Sequence, residues 1–186
     1  MTRHASMFSP QGGALYTLGC GHMLGERVVT TLEAREVGFV FDLRSPPFDL
    51  SRPDLEPDAL GARFEAAGTR YVRAHEELGD RPQDISLYVE SGARIDYTKY
   101  AARESAKRML ARLEDAWQGG YRVALLGRTS DPALAHRARF VSEALYQRAG
   151  IVARHLVVMG SSTISHTEVR RMIWGMRDTI TLSARP

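Results

Sequence analysis

Cysteine is almost missing from this sequence: Cys20 is the only one in 186 residues. A lone thiol excludes an intramolecular disulfide and fits a reducing, cytoplasmic setting. Lysine is scarce as well. All but two of the 25 cationic side chains, Lys99 and Lys107, are arginine. No apolar run approaches the roughly 20 residues needed to span a bilayer, so no membrane partner is expected. Residues 1–13 lack the apolar stretch of a signal peptide and read as a loose tail, which leaves 14–186 as a single domain. Neither a Walker nor a Rossmann glycine signature is present, and no cofactor is implied. Repeats, heptads and dense basic runs are also missing.

What is there is an ordinary globular composition, 44% hydrophobic and 25% charged, with a net charge of +3. The order of patterns is strand then helix, repeated. Leu15–Leu18 reads as a strand, 24–36 as a helix, and Val37–Asp42 as a strand apolar on both faces, as in a parallel sheet. A proline-rich loop at 45–57 precedes a short helix at 58–67 and a strand at 70–73. Residues 78–95 read mostly as loop. Tyr97–Gln118 reads as the longest helix, ended by Gly119-Gly120, and 121–126 as a fourth strand. Asp131-Pro132 opens a helix to Ala149, 151–159 is a fifth strand, and Ser165 with Glu168 is a capping box starting a helix to Arg177. This alternation predicts an α/β fold, with a mostly parallel sheet of about five strands and helices on both faces.

In such sheets ligands bind beyond the carboxyl ends of the strands. Asp42 and Arg44 share one side of the second strand's end, either paired with each other or facing a ligand together. Arg128 leaves the fourth strand, and Arg52 lies in the proline loop. Guanidiniums on one rim suit phosphate or carboxylate, which they bind bidentately. His136-Arg137 would lie one turn into the helix opened by Pro132, where free amides favour an anion and His136 is placed to act as acid or base. The alternative is that His136 packs on the sheet and Arg137 caps a loop. His75-Glu76-Glu77 offers carboxylates to the same rim, and Gly160–Thr163 offers backbone amides to an anion. Cys20 reads as a small buried filler. Its spacing to Arg27 is one residue too long for a phosphatase loop, and Cys20 with His22 makes no metal site.

Tyr16-Thr-Leu-Gly19 with His22, Phe41-Asp-Leu-Arg44-Ser-Pro, Gly68-Thr-Arg-Tyr71, Glu77-Leu-Gly79, Tyr97-Thr-Lys-Tyr100 and the stretch Leu125 to Arg137 come in a telling order. Together, over roughly Leu15 to Val158, they resemble the bacterial and archaeal family called domain of unknown function 488. The resemblance implies a small α/β fold without an established activity. The family pattern has a cysteine and a glutamate near the fourth strand, then a second cysteine before His-Arg. Here Gly127, Thr129 and Ala135 stand there, ahead of His136-Arg137. A chemistry that needs those thiols is not expected in this chain. The first-strand loop also departs, with Cys20-Gly21 ahead of His22.

Two functions stay open at this point. One is an anion site for a phosphate-bearing small molecule, nucleotide or nucleic-acid fragment, with His136, Asp42 and His22 as candidate catalytic residues and Arg44, Arg52, Arg128 and Arg137 as candidate binding residues. The other is a non-catalytic interaction module, homo-oligomeric in one version. They differ in whether Arg44, Arg128 and His136 line an open pocket or are buried in ion pairs without one.

Overall fold

The computed structural model describes residues 13–46, 48, 51–89, 92, 94–157 and 160–175. Residues 1–12 of the expected tail, the end of the fifth strand at Val158 and Met159, and the end of the last helix at 176–177 lie outside them. The strands are β1 (Ala14–Gly19), β2 (Phe39–Asp42), β3 (Arg70–Arg73), a small hairpin of β4 (Tyr88–Val89) and β5 (Arg94–Ile95), β6 (Arg122–Gly127), β7 (Arg154–Val157) and β8 (Ser162–Ser165). The helices are α1 (Gly25–Glu33), α2 (Pro57–Ala66), α3 (His75–Leu78), α4 (Tyr97–Ala102), α5 (Glu104–Gln118), α6 (Glu143–Ala149) and α7 (His166–Trp174).

Six strands form the main sheet in the order β3-β2-β6-β1-β7-β8. The first five run parallel, and β8 returns antiparallel to β7. The fold class is therefore as the alternation implied, with one strand more. Ser162–Ser165 holds β-branched and polar residues in an edge strand, where one face and one rim meet solvent, so no apolar run marks it. Gly160–Thr163, expected to cradle an anion, instead makes the turn and the start of this edge strand.

The central strands are apolar on both faces because both faces are covered. Leu15, Phe41, Val123 and Leu125 point to one side, under α5 and the segment carrying Phe140 and Val141. Tyr16, Leu18, Val40, Ala124 and Leu126 point to the other, under Val28, Leu32, Leu60 and Phe64 of α1 and α2.

Two helices differ from their sequence reading. The long helix is broken at Arg103, whose backbone is extended (φ −66°, ψ 140°). Asp96 caps α4 through the amides of Thr98 and Lys99, and the bend turns Tyr97 and Tyr100 inward onto Phe140. The helix expected from Pro132 is a single 3-10 turn at Pro132–Leu134, its amide at Ala133 already taken by Asp131. A wider π-helical turn follows at Arg137–Ser142 and runs into α6. The free helix terminus expected at Pro132 is thus absent. π turns are over-represented at functional sites. The capping box of Ser165 and Glu168 forms as read.

Candidate functional site

The connection from β1 crosses one face of the sheet through α1, and that from β6 crosses the other through α6. Between these neighbours lies the switch point at which open α/β sheets bind ligands. Here the crevice is closed by the chain itself. Beyond the strands, the Cys20 amide donates to Gly127 O at 2.9 Å and the Gly21 amide to Arg128 O at 2.9 Å. The approach requires glycine: a Cβ on Gly19 would lie 2.1 Å from Thr129 O. The N-terminus of α1 is also filled, because Asp54 accepts from the Gly25 amide at 2.6 Å.

Cavities open on either side of this seal. One, of about 170 Å³, is lined by Cys20, Arg44, Phe48, Arg52, Glu56 and Arg128. The other, of about 290 Å³, is lined by Asp80, Tyr97, Arg128, Thr129, His136 and Arg137, among others. Arg128 borders both. Its Nε lies 3.6 Å from Asp80 Oδ2, and its guanidinium and that of Arg44 each lie 5.8 Å from the Phe48 ring.

The candidates divide between these cavities. Asp42 and Arg44 form a buried ion pair, with Nη2 to Oδ2 at 2.6 Å and Nε to Oδ1 at 2.9 Å. Asp42 also accepts from the Tyr71 hydroxyl, and Arg44 donates to Leu55 O at 2.8 Å. Burial opposes the Arg44 charge, but the bonds and charge of Asp42 outweigh it and hold Arg44 firmly protonated. Burial, then Asp42, pushes the Tyr71 phenol up. Arg52 ties the proline loop to the turn after β1, donating to Met23 O and pairing with Asp54 at 3.3 Å. His22 is exposed in that turn and lines neither cavity. Cys20 is buried, and burial raises its thiol pKa against the pull of Arg44, so the thiol is neutral at physiological pH.

Arg137 differs from Arg44. It is 1% exposed, and it donates to Thr17 Oγ1 at 3.1 Å, to Thr129 O, and to Ser130 O at 3.3 Å. These acceptors are neutral, and no carboxylate among the described residues pairs with it. Burial pushes it down to about 10, which still leaves it charged at neutral pH. Gly127 makes room for it: a Cβ there would sit 3.2 Å from Arg137 Cδ. Neighbouring His136 donates from Nε2 to Leu78 O at 2.9 Å and is ringed by Tyr97, Tyr100 and Phe140. Its Nδ1 is buried without a partner. Burial pushes His136 down to about 4, so the ring is neutral near pH 7.

One acid at this edge that no local sequence pattern marks is Asp80. It accepts from the Ser45 amide at 2.9 Å and faces Arg128, while His75 and Glu76 line a separate cavity of about 420 Å³. Nothing in the local pattern separates Asp80 from the acids before it. Asp80 is the one that arrives because α3 ends at Leu78 and the Asp80 amide then donates to Leu43 O at 3.1 Å.

His155, in β7, is also held neutral, pushed down to about 3 by burial, then by His166 and Arg137. A histidine that takes its proton less readily folded than unfolded favours the unfolded chain in acid. Stability should therefore fall as pH drops from about 6.5 towards 4, each pKa unit being worth about 1.4 kcal/mol. Urea unfolding at stepped pH measures this, and His136→Gln should flatten part of the slope. An unaltered slope in that variant would exclude His136 as a contributor.

Fold and edge together define an α/β domain with a six-stranded, mostly parallel sheet, with a cavity on either side of a sealed switch point. The chain belongs to the family described as Domain of unknown function DUF488, whose model matches residues 25–145. No curated protein and no solved structure matches it. No helix among the described residues is long and apolar enough to cross a membrane.

Proposed function

We propose that this protein binds a small phosphate-bearing anion, such as a phosphorylated metabolite, a nucleotide or the end of a nucleic-acid strand, in the 290 Å³ cavity beside β6. The observation that carries the reading is Arg137, a buried guanidinium whose hydrogen bonds among the described residues all go to neutral oxygens. A buried charge without a hydrogen-bonded counter-ion projects a strong field into the adjoining space. An anion there would supply the missing counter-charge. Arg128, which pairs with Asp80 at 3.6 Å and borders the cavity, stands at the mouth to make the direct contact. Arg44 contributes little, because Asp42 neutralises it.

Phosphate, nucleotides and short single strands should be titrated at low and at high salt, with thermal stabilisation as the readout. Binding is expected at low salt and should weaken as salt rises. Arg128→Ala should weaken phosphate about tenfold, the factor of one charge-assisted hydrogen bond. His136→Ala should weaken it less, since a neutral ring contributes shape. If no anion stabilises the protein at low salt, or both variants bind as the parent does, the site reading is wrong and a non-catalytic interaction module takes its place.

A further inference from the structure

A line of buried polar groups leads from Arg137 over β1 and β7 to α7 and returns to Glu143, at the start of the helix that follows the turn carrying Arg137. Arg137 Nε meets Thr17 Oγ1 at 3.1 Å, and Thr17 Oγ1 meets His155 Nδ1 at 2.7 Å. His155 Nε2 meets His166 Nδ1 at 3.0 Å, and His166 Nε2 meets Glu143 Oε2 at 3.1 Å. Arg170 Nε donates to the same Glu143 oxygen at 3.0 Å, and Gln147 to the other at 2.7 Å. Thr17, His155 and His166 are each 0% exposed. They come from β1, β7 and α7, and Glu143 from α6, so four elements were brought to this line.

The two ends fix the direction of every bond between them. A guanidinium can only donate and an ionised carboxylate can only accept. Burial opposes ionisation of Glu143, but the bonds from His166 and Gln147 and the charge of Arg170 hold its pKa below the usual value. His166 must then carry its proton on Nε2. For His155 to leave Nδ1 bare for the Thr17 hydroxyl, its own proton sits on Nε2 and points at the Nδ1 of His166, which accepts it. The bare Nδ1 of His155 takes the Thr17 hydroxyl proton, which leaves the Thr17 oxygen to accept from Arg137. Every donor in the line meets one acceptor. With His155 protonated on Nδ1 instead, Thr17 would face two N–H donors at once. The other groups around the two rings are Arg137, Arg170, Glu143 and Tyr146, whose ring centroid lies 6.0 Å from that of His166.

We infer that Thr17, His155, His166 and Glu143 are positioning residues for Arg137: a directed chain of hydrogen bonds, anchored at Glu143, that holds its guanidinium at the anion cavity. The placement at an anion site rests on the function proposed above; the directed chain stands on its own geometry. A core that only needed filling would accept apolar side chains at Thr17 and His155. This one keeps a donor-acceptor register over two rings.

Long-range ¹⁵N–¹H correlation spectra at neutral pH test the register without any ligand. Both His155 and His166 should be Nε2–H tautomers, and a His155 Nδ1–H form would overturn the inference. The Arg137 Nε–H should exchange slowly with solvent. In Thr17→Val it should exchange about tenfold faster or more, the factor of one hydrogen bond to a charged group, and Thr17→Ser should restore it. If Thr17→Val folds and leaves that exchange unchanged, Thr17 does not position Arg137. Inorganic phosphate separates the two claims. No binding by the parent defeats the anion site, while tautomers and exchange still judge the chain. Binding by the parent with equal binding by Thr17→Val defeats the positioning role.

Discussion

Arg137→Met should lose phosphate binding by about tenfold or more, yet unfold within roughly 2 kcal/mol of the parent. The first effect follows from the field of a buried charge with no hydrogen-bonded carboxylate among the described residues. The second is the resultant of opposed terms. Losing the guanidinium strands Thr129 O and Ser130 O, at about 1–3 kcal/mol for each buried group left without a partner. Against that, burial pushes the Arg137 guanidinium well below its ordinary value, down to about 10, so the folded state already holds this cation at a loss, each pKa unit being worth about 1.4 kcal/mol. Removing the charge recovers much of that loss. A buried leucine such as Leu125 has no such offset, and Leu125→Ala should cost about 2–5 kcal/mol. Urea unfolding and phosphate titration on the same variants decide the matter. If Arg137→Met binds phosphate within threefold of the parent, Arg137 does not create the site. Structure retained at an energetic loss beside a cavity is a common signature of function.

The sheet was legible because burial on both faces writes itself as unbroken apolar runs at Val37–Phe41 and Val123–Leu126. The helix ends were legible where a side chain makes the cap, as Ser165 does with Glu168. The edge strand β8 was not, since an exposed strand needs no apolar run. The break at Arg103 was not either: glutamate, lysine and arginine around it are all good helix formers, and the bend exists for the contacts of Tyr97 and Tyr100 with Phe140. For the site, a local pattern showed which residues stand at strand ends, and Asp42, Arg44, Arg128, His136 and Arg137 all do reach the carboxyl edge. It does not show which arginine finds a carboxylate. Arg44 finds one two residues away, whereas Arg137 reaches neutral oxygens 7, 8 and 120 positions distant. The line from Thr17 to Glu143 was hidden for the same reason. Its members are single residues on four elements, and only the closed fold makes them neighbours.

Breaking the Asp42–Arg44 pair should be strongly destabilising. Both side chains are nearly inaccessible, at 2% and 4% exposure. Asp42→Ala leaves a guanidinium buried against Leu55 O with no counter-charge, and Arg44→Met leaves a carboxylate with only the Tyr71 hydroxyl and the Arg44 amide. Each should cost about 3–5 kcal/mol. The double variant Asp42→Leu with Arg44→Met should cost less than either alone, because replacing both partners of a buried pair by apolar groups is often neutral. Urea unfolding of the four proteins gives a coupling energy, expected above about 2 kcal/mol. A single-variant loss below about 1 kcal/mol would mean that water reaches the pair in solution. The same cycle bears on where anions go. In Asp42→Ala the freed Arg44 lines the 170 Å³ cavity together with Arg52 and Arg128. Phosphate should then stabilise this variant more than the parent. In the parent, Asp42 fills the place of an anion at Arg44, whereas no carboxylate among the described residues hydrogen-bonds to Arg137.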